Sequence, residues 1–238
     1  MSRHLSLCSL ATDAGQEAPR RCISCPISDA HPVFTLGEDG KHQCEFDNVA
    51  VEARQPLPTS YGAAAGVAVV RRGLVVRQRD DGRGVVTAMD VVGPGQAFRT
   101  STAAPDGQLH AHAVTGYAVD RTLLCIYEKP ELPETNLSGE LYALLGESLD
   151  RVERFIVARA RPAAVSRLAA LLCVLQDSLG PRHHGGIPGS LQQQDMASLL
   201  FMRHESVCRA LRSLQNKELI SRDGDGIVIL DRAGLELV

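Results

Sequence analysis

The sequence predicts an α+β protein: an antiparallel, cupin-like β-roll, then a long helix, then a winged helix-turn-helix. Three observations carry that prediction. Between Val49 and Tyr127, short runs of β-branched and apolar residues are separated by glycine-containing turns, with no helical period between them. From Leu137 to Ile156, apolar residues recur at three- and four-residue steps. From Gln192 to Leu230, two short helical patterns meet at a tight break and lead into a hairpin with a glycine-rich turn.

Four segments follow from these patterns: an arm over 1–45, the roll over 46–130, the long helix over 131–160, and the winged helix-turn-helix over 161–238. The arm is polar, rich in Ser, Asp, His and Pro, and weakly periodic, so it has no apolar means of docking. In the roll, Val67–Val70 and Leu74–Arg77 around Arg71-Arg72-Gly73 read as a hairpin. Asp80–Gly84 and Gly93-Pro94-Gly95 read as turns either side of Val85–Met89. Further strands are expected at His110–Val114, Tyr117–Val119 and Leu123–Tyr127.

Pro130 and Pro133 end the roll, and Glu134-Thr135-Asn136 supplies capping groups for the long helix. Its apolar stripe runs through Leu137, Leu141, Leu144, Leu145, Leu149, Val152, Phe155 and Ile156, with Asp150, Arg151, Glu153 and Arg154 off it. A helix of this length between two domains suits pairing with its own copy, with Leu141, Leu145, Val152 and Ile156 as the seam of a homodimer. The alternative is a helix packed only on its own chain. A second helix is expected over Ala163–Leu179, with Cys173 as a plain core residue.

In the C-terminal pair, Gln192–Leu200 places Met196, Ala197 and Leu200 on one face. The second helix starts near His204 and buries Val207, Ala210, Leu211 and Leu214. Its first turns carry Arg203, His204, Glu205, Ser206, Cys208 and Arg209 off that stripe, the pattern of a recognition helix that meets base edges. Arg209 can donate two bonds to a guanine, and Glu205 can accept from a cytosine amino group. Arg203 and Ser206 suit phosphates, Arg212 suits phosphate or solvent equally, and His204 reads as solvated. The hairpin Leu219–Leu230 reads as the wing.

Composition sets the bounds. At 238 residues and 44% hydrophobic, the chain can bury a core in one large or two ordinary domains. No apolar run approaches the ~18 residues of a membrane span. Met1–Arg21 has no signal-peptide core, so a cytoplasmic protein is expected. The net charge of −3 by itself counts against a nucleic-acid partner. Between Pro181 and Arg222, however, Arg182, Arg203, Arg209, Arg212, Lys217 and Arg222 outnumber Asp195, Glu205 and Glu218. No nucleophile elbow, P-loop or His-Glu-x-x-His motif supports an enzyme, and His183-His184 in a glycine-rich loop reads as solvent-exposed. Seven cysteines without an export signal argue against a disulfide framework, yet Cys8, Cys22, Cys25 and Cys44 cluster in the arm.

With roll, long helix and winged helix-turn-helix in this order, the chain resembles the CRP/FNR family of bacterial transcription regulators. The resemblance is strongest from Leu191 to Leu230, where the Glu205-Ser206-Val207-x-Arg209 core is intact, and looser over the roll. It implies a homodimer on double-stranded DNA, a palindromic operator with TTGA-like half-sites, and RNA polymerase as a further partner. At Cys208 such proteins commonly carry Ser. The arm resembles the oxygen-sensing, FNR-like branch. Cys22-x-x-Cys25 matches its first cysteine pair, Cys125 matches its fourth cysteine, and His31 stands at the third position.

That branch holds an iron-sulfur cluster of the [4Fe–4S] type sensing oxygen or nitric oxide. Here the ligands would be Cys22, Cys25, Cys125 and His31, with Cys44 or Cys8 as the alternative fourth. The same cysteines also suit zinc or a thiol-disulfide switch, and incidental thiols are the plain alternative. The cyclic-nucleotide pattern of the family's other branch is poorly matched. Arg99-Thr100 lacks its glutamate and lies too close to Gly93 and Gly95, so Arg99 reads as an exposed strand-end residue.

Overall fold

The computed structural model describes residues 47–57, 67–81, 83–99, 114–127, 137–179, 186–224 and 226–238. Its first strands are β1 (Asp47–Val51), β2 (Val67–Arg72), β3 (Val75–Asp80), β4 (Val86–Val92), β5 (Ala97–Arg99), β6 (Val114–Ala118) and β7 (Thr122–Tyr127). They form two antiparallel sheets, ordered β1-β7-β2-β5 and β4-β3-β6. α1 (Leu137–Ala160) and α2 (Ala164–Leu179) follow, then β8 (Ile187–Pro188), α3 (Gln193–Leu200), α4 (His204–Asn216), β9 (Ile220–Asp223), β10 (Gly226–Ile229) and α5 (Arg232–Leu237). The expected roll, long helix and winged helix-turn-helix are all present. β8, which adds a third strand to the wing, and the terminal α5 were not anticipated.

One expected pairing is wrong. Val67–Val70 and Leu74–Arg77 do not form a hairpin: β2 pairs with β5 and β7, and β3 with β4 and β6. Gly73, at φ +88°, carries the chain from one sheet to the other, and the Leu74 N–H donates to Asp120 Oδ1 at 2.9 Å. Both strands open on unbroken apolar runs, so the alternation that would assign each to a sheet is missing. The turn after β3 is as expected. Asp81 Oδ1 accepts the backbone N–H groups of Arg83 and Val85 and closes β3 onto β4. Of the expected His110–Val114 strand, residues 110–113 lie outside the described residues.

The β4-β3-β6 sheet is buried on both faces. Val75, Val92 and Ala118 join Val70, Phe98, Leu124 and Ile126 inside the roll. Val76, Ala88 and Val91 face the other way, into a second core with Phe155, Leu168, Leu172, Met196, Leu199 and Leu211. That second core runs without a break from the roll through α1 and α2 into the helix-turn-helix.

α1 departs from the expected pattern. Phe155 and Ala158 are buried, but Arg151, placed off the stripe from sequence, is only 4% exposed. Its guanidinium donates to Asp90 Oδ2 at 2.9 Å, to the Ala97 carbonyl at 2.9 Å and to Ser148 Oγ at 3.1 Å. Arg77 donates to both Asp90 oxygens, at 2.6 and 2.8 Å, and Asp90 has no solvent exposure. Burial pulls the Arg151 pKa down, and the Asp90 charge opposes that shift. Leu149 and Ile156, by contrast, are 59% and 53% exposed, so the apolar residues of α1 divide between two faces.

Removing the shared carboxylate leaves two guanidinium groups beside a core without the counter-charge they both bond. Asp90→Ala is expected to destabilise the fold by about 3–5 kcal/mol. Urea denaturation checks this. A loss under about 1 kcal/mol would mean that water or another acceptor reaches these arginines.

Candidate nucleic-acid interface

α3 and α4 are joined by a turn at Phe201, which takes the left-handed conformation at φ 53°. The Met202 N–H donates back to the Ala197 carbonyl at 2.9 Å and ends α3. At the other end, Asp195 Oδ2 accepts the Gln192 N–H at 2.7 Å, the carboxylate half of a capping box. In α4, Val207, Ala210, Leu211 and Leu214 are buried, the four residues the periodicity predicts. Leu199 is also buried in α3, beyond the three expected there.

The outer face of α4 is open. Arg203, His204, Glu205, Arg209 and Arg212 are exposed, and Ser206 and Cys208 are half-buried. Among the described residues, the side chains of Arg203, Glu205 and Arg212 make no hydrogen bond or ion pair, and that of Arg209 reaches only Ser206 Oγ, at 3.4 Å. Glu205 and Arg209 are one turn apart on the same face without pairing, so both keep their bonding capacity for an outside partner. Cys208 is engaged. Its thiol donates to Gln193 Oε1 at 2.8 Å, and the His204 ring nitrogens lie 3.7 and 3.8 Å from Sγ. The wing strands β9 and β10 pair directly after α4, with Arg222 exposed and the Asp223 carboxylate accepting the Gly226 N–H at 3.0 Å.

The sequence reading missed how α3 is held. At its first turn, the Asp195 carboxylate accepts Arg54 Nη1 at 2.9 Å and the Tyr117 hydroxyl at 2.6 Å. Arg54 also donates to the Ser190 carbonyl and lies over the Tyr117 ring, 5.8 Å from its centre. Burial, then the hydrogen bond and charge of Asp195, push the Tyr117 hydroxyl well above its usual pKa. At the last turn, Arg159 of α1 donates to the Leu199 carbonyl at 2.5 Å and to Ala88 and Met89 of β4 at 2.8 and 2.6 Å. Its guanidinium lies 4.6 Å from the centre of the Phe201 ring. An acidic residue at the third helical position marks Asp195 as a cap. Its other partners lie 141 and 78 residues away, where no local pattern reaches.

Of the expected metal ligands, Cys22, Cys25, His31 and Cys44 lie outside the described residues, as does Cys8. Cys125 is in β7, opposite Asn48 of β1 and Val69 of β2, half-buried between the buried Leu124 and Ile126. Among the described residues no three His, Cys, Asp or Glu side chains converge. Cys173 is a buried core residue, as expected, and burial raises its thiol pKa. On the expected dimer seam, Val152 is half-buried and Ile156 exposed. Leu141 and Leu145 fall within α1, but their side chains are outside the described set.

Residues 166–238 match the Crp-like helix-turn-helix domain family. The fold as a whole is that of CRP/FNR regulators. It superposes on FixK2 from Bradyrhizobium japonicum with a TM-score of 0.65 at 19% identity, covering 81% of this chain and 96% of that one. A CRP-family transcriptional regulator from Thermus thermophilus gives 0.62 at 21% identity, over 79% and 95%. A CRP/FNR-family regulator from the same organism gives 0.60 at 23% identity, over 80% and 97%. Comparison with curated protein sequences gives no match.

Proposed function

We propose that this chain is a homodimeric, sequence-specific DNA-binding transcription regulator of the CRP/FNR type. The observation that carries this reading is the division of α4. One face is locked into the core by Val207, Ala210, Leu211 and Leu214, while Arg203, Glu205 and Arg209 stand open on the other. In the major groove, Arg209 would read a guanine and Glu205 a cytosine amino group within a TTGA-like half-site. Arg203 and Ser206 would meet phosphates, and the wing would lie along the backbone. Among the described residues no helix is long and apolar enough to cross a membrane.

Dimerisation rests on the exposed apolar residues Leu149 and Ile156 with the half-buried Val152. They lie three and four residues apart on the face of α1 that the roll leaves uncovered. Two chains paired along this stripe would present their α4 helices about one DNA turn, ~34 Å, apart. The sensing element belongs to the same proposal. Cys22 and Cys25 of the arm, with Cys125 and either His31 or Cys44, would hold an iron-sulfur cluster whose thiolate ligation pins the arm to the roll.

Three measurements test these parts separately. Arg209→Ala is expected to cost about 1–3 kcal/mol on the palindromic site and little on random DNA; equal losses on both would refute base reading. Ile156→Glu is expected to convert a dimer to a monomer in sedimentation, and an unchanged mass would remove this face from the interface. Protein prepared without oxygen is expected to be brown, with iron and acid-labile sulfide that are lost in Cys22→Ser. Colourless, iron-free protein that still binds its operator would end the cluster reading.

A further inference from the structure

The helix-turn-helix is joined to the rest of the chain covalently through a short link, Arg161-Pro162-Ala163, between α1 and α2. A single link leaves a domain able to rotate about it. The continuous apolar core resists separation, but apolar contact is non-directional and sets an angle poorly. Angle is set by polar groups with fixed geometry, and here they concentrate on one element, α3. At its first turn Arg54 and Tyr117 of the roll hold Asp195. At its last turn Arg159 of α1 takes the Leu199 carbonyl and faces the Phe201 ring, while also gripping the Ala88 and Met89 carbonyls of β4.

Asp195 is only 6% exposed, and both of its oxygens are used. Arg54 sits at φ 65°, a conformation L-residues other than Asn or Asp seldom take, so its backbone is committed to this placement. α4 itself is untouched by these groups; its reading face stays open, and it moves as α3 moves because the two pack together.

The geometry points to Arg54, Tyr117 and Arg159 as specificity-determining positioning residues: clamped at both ends, α3 fixes the angle of each reading helix, and so the half-site spacing that a dimer accepts. This rests on the dimeric DNA-binding reading above. Each inserted base pair displaces a half-site by about 3.4 Å and turns it by about 35° around the duplex. A dimer with rigidly angled heads therefore engages both half-sites at one spacing only. A dimer with loosened heads follows the shift.

The test uses the full-length dimer and a series of palindromes whose central spacer is lengthened or shortened one base pair at a time, with a single half-site as the reference. Unmodified protein is expected to prefer one spacing by about 100-fold, the avidity lost when the second head cannot engage. Tyr117→Phe removes the hydroxyl that Asp195 accepts but keeps the ring beneath Arg54. Arg54→Asn removes the guanidinium and tolerates the left-handed backbone. Both substitutions lie in the roll, outside residues 166–238, so they leave the reading face chemically intact. In either variant the preference is expected to fall to within about five-fold, with single half-site affinity unchanged.

A spacing preference in both variants as sharp as in the unmodified protein overturns the clamp. So does an equal loss on the palindrome and on the single half-site, and so does unmodified protein with no spacing preference. Unmodified protein that binds none of these duplexes overturns instead the DNA-binding reading itself.

Discussion

Asp90 accepts Arg77 and Arg151 at the same carboxylate, sealed from solvent, and the two halves of the chain meet around that charge. Arg77 comes from β3, Asp90 from β4 and Arg151 from α1, so a strand pair and the long helix share one set of charged hydrogen bonds. The Ala97 carbonyl, also taken by Arg151, brings in β5 and so the second sheet. Two turns further along α1, Arg159 holds the carbonyls of Ala88 and Met89, immediately before Asp90. Residues 88–90 of β4 are thus gripped at two points by one helix face. A buried ion pair adds little net stability over well-packed apolar groups, but it admits one geometry where an apolar contact admits several. In this fold it fixes the register of α1 on the roll, and the placement of everything C-terminal to α1 depends on that register.

The same helix shows what a one-dimensional pattern hides. Leu149, Val152, Phe155 and Ile156 read as a single stripe in sequence, because three- and four-residue steps are consistent with one face. In the structure Phe155 is fully buried against the second core while Ile156, its neighbour, is half open to solvent. The buried face is completed by Arg151, Ala158 and Arg159, two of which carry charge, while Leu149 and Ile156 lie on the open side with Asp150, Glu153 and Arg154. A helix that must satisfy two partners divides its hydrophobic residues between them. Burying an arginine where a leucine would be expected is possible only because Asp90 waits in the strand opposite.

Legibility followed the range of the interaction. α4 was readable almost residue by residue, because its buried set and its open face are both fixed by a period within thirteen residues. The capping role of Asp195 is equally local. The clamp on α3 was not readable, because Arg54 and Tyr117 acquire their roles only when the roll is folded and docked. The mistaken β2–β3 hairpin has a related cause: its two strands are apolar on consecutive residues, each belongs to a sheet with two neighbours, and only Gly73 marks the crossing. The cysteines of the arm and the seam at Leu141 and Leu145 fall beyond the described residues and side chains. For them the residue pattern and the family resemblance remain the argument.

The distribution of apolar and polar contacts also limits how the C-terminal domain can respond to events in the roll. Met196, Leu199 and Leu200 of the helix-turn-helix share a core with Val76, Ala88 and Val91 of the roll. Exposing side chains of this kind costs about 1.5–3 kcal/mol each, so detaching the domain would cost several times the stability margin of a single contact. The polar bonds of Arg54, Tyr117 and Arg159 add direction to that apolar contact, because the nearly buried Asp195 carboxylate loses its partners if α3 turns. A rotation that kept the apolar faces in contact would have to break those bonds first. With α4 packed on α3 and its outer face unencumbered, such a rotation changes the angle at which Arg209 and Glu205 are presented without altering the groups themselves. The angle of the reading helix is thus held by the polar bonds on α3, and its chemistry by the groups on its outer face.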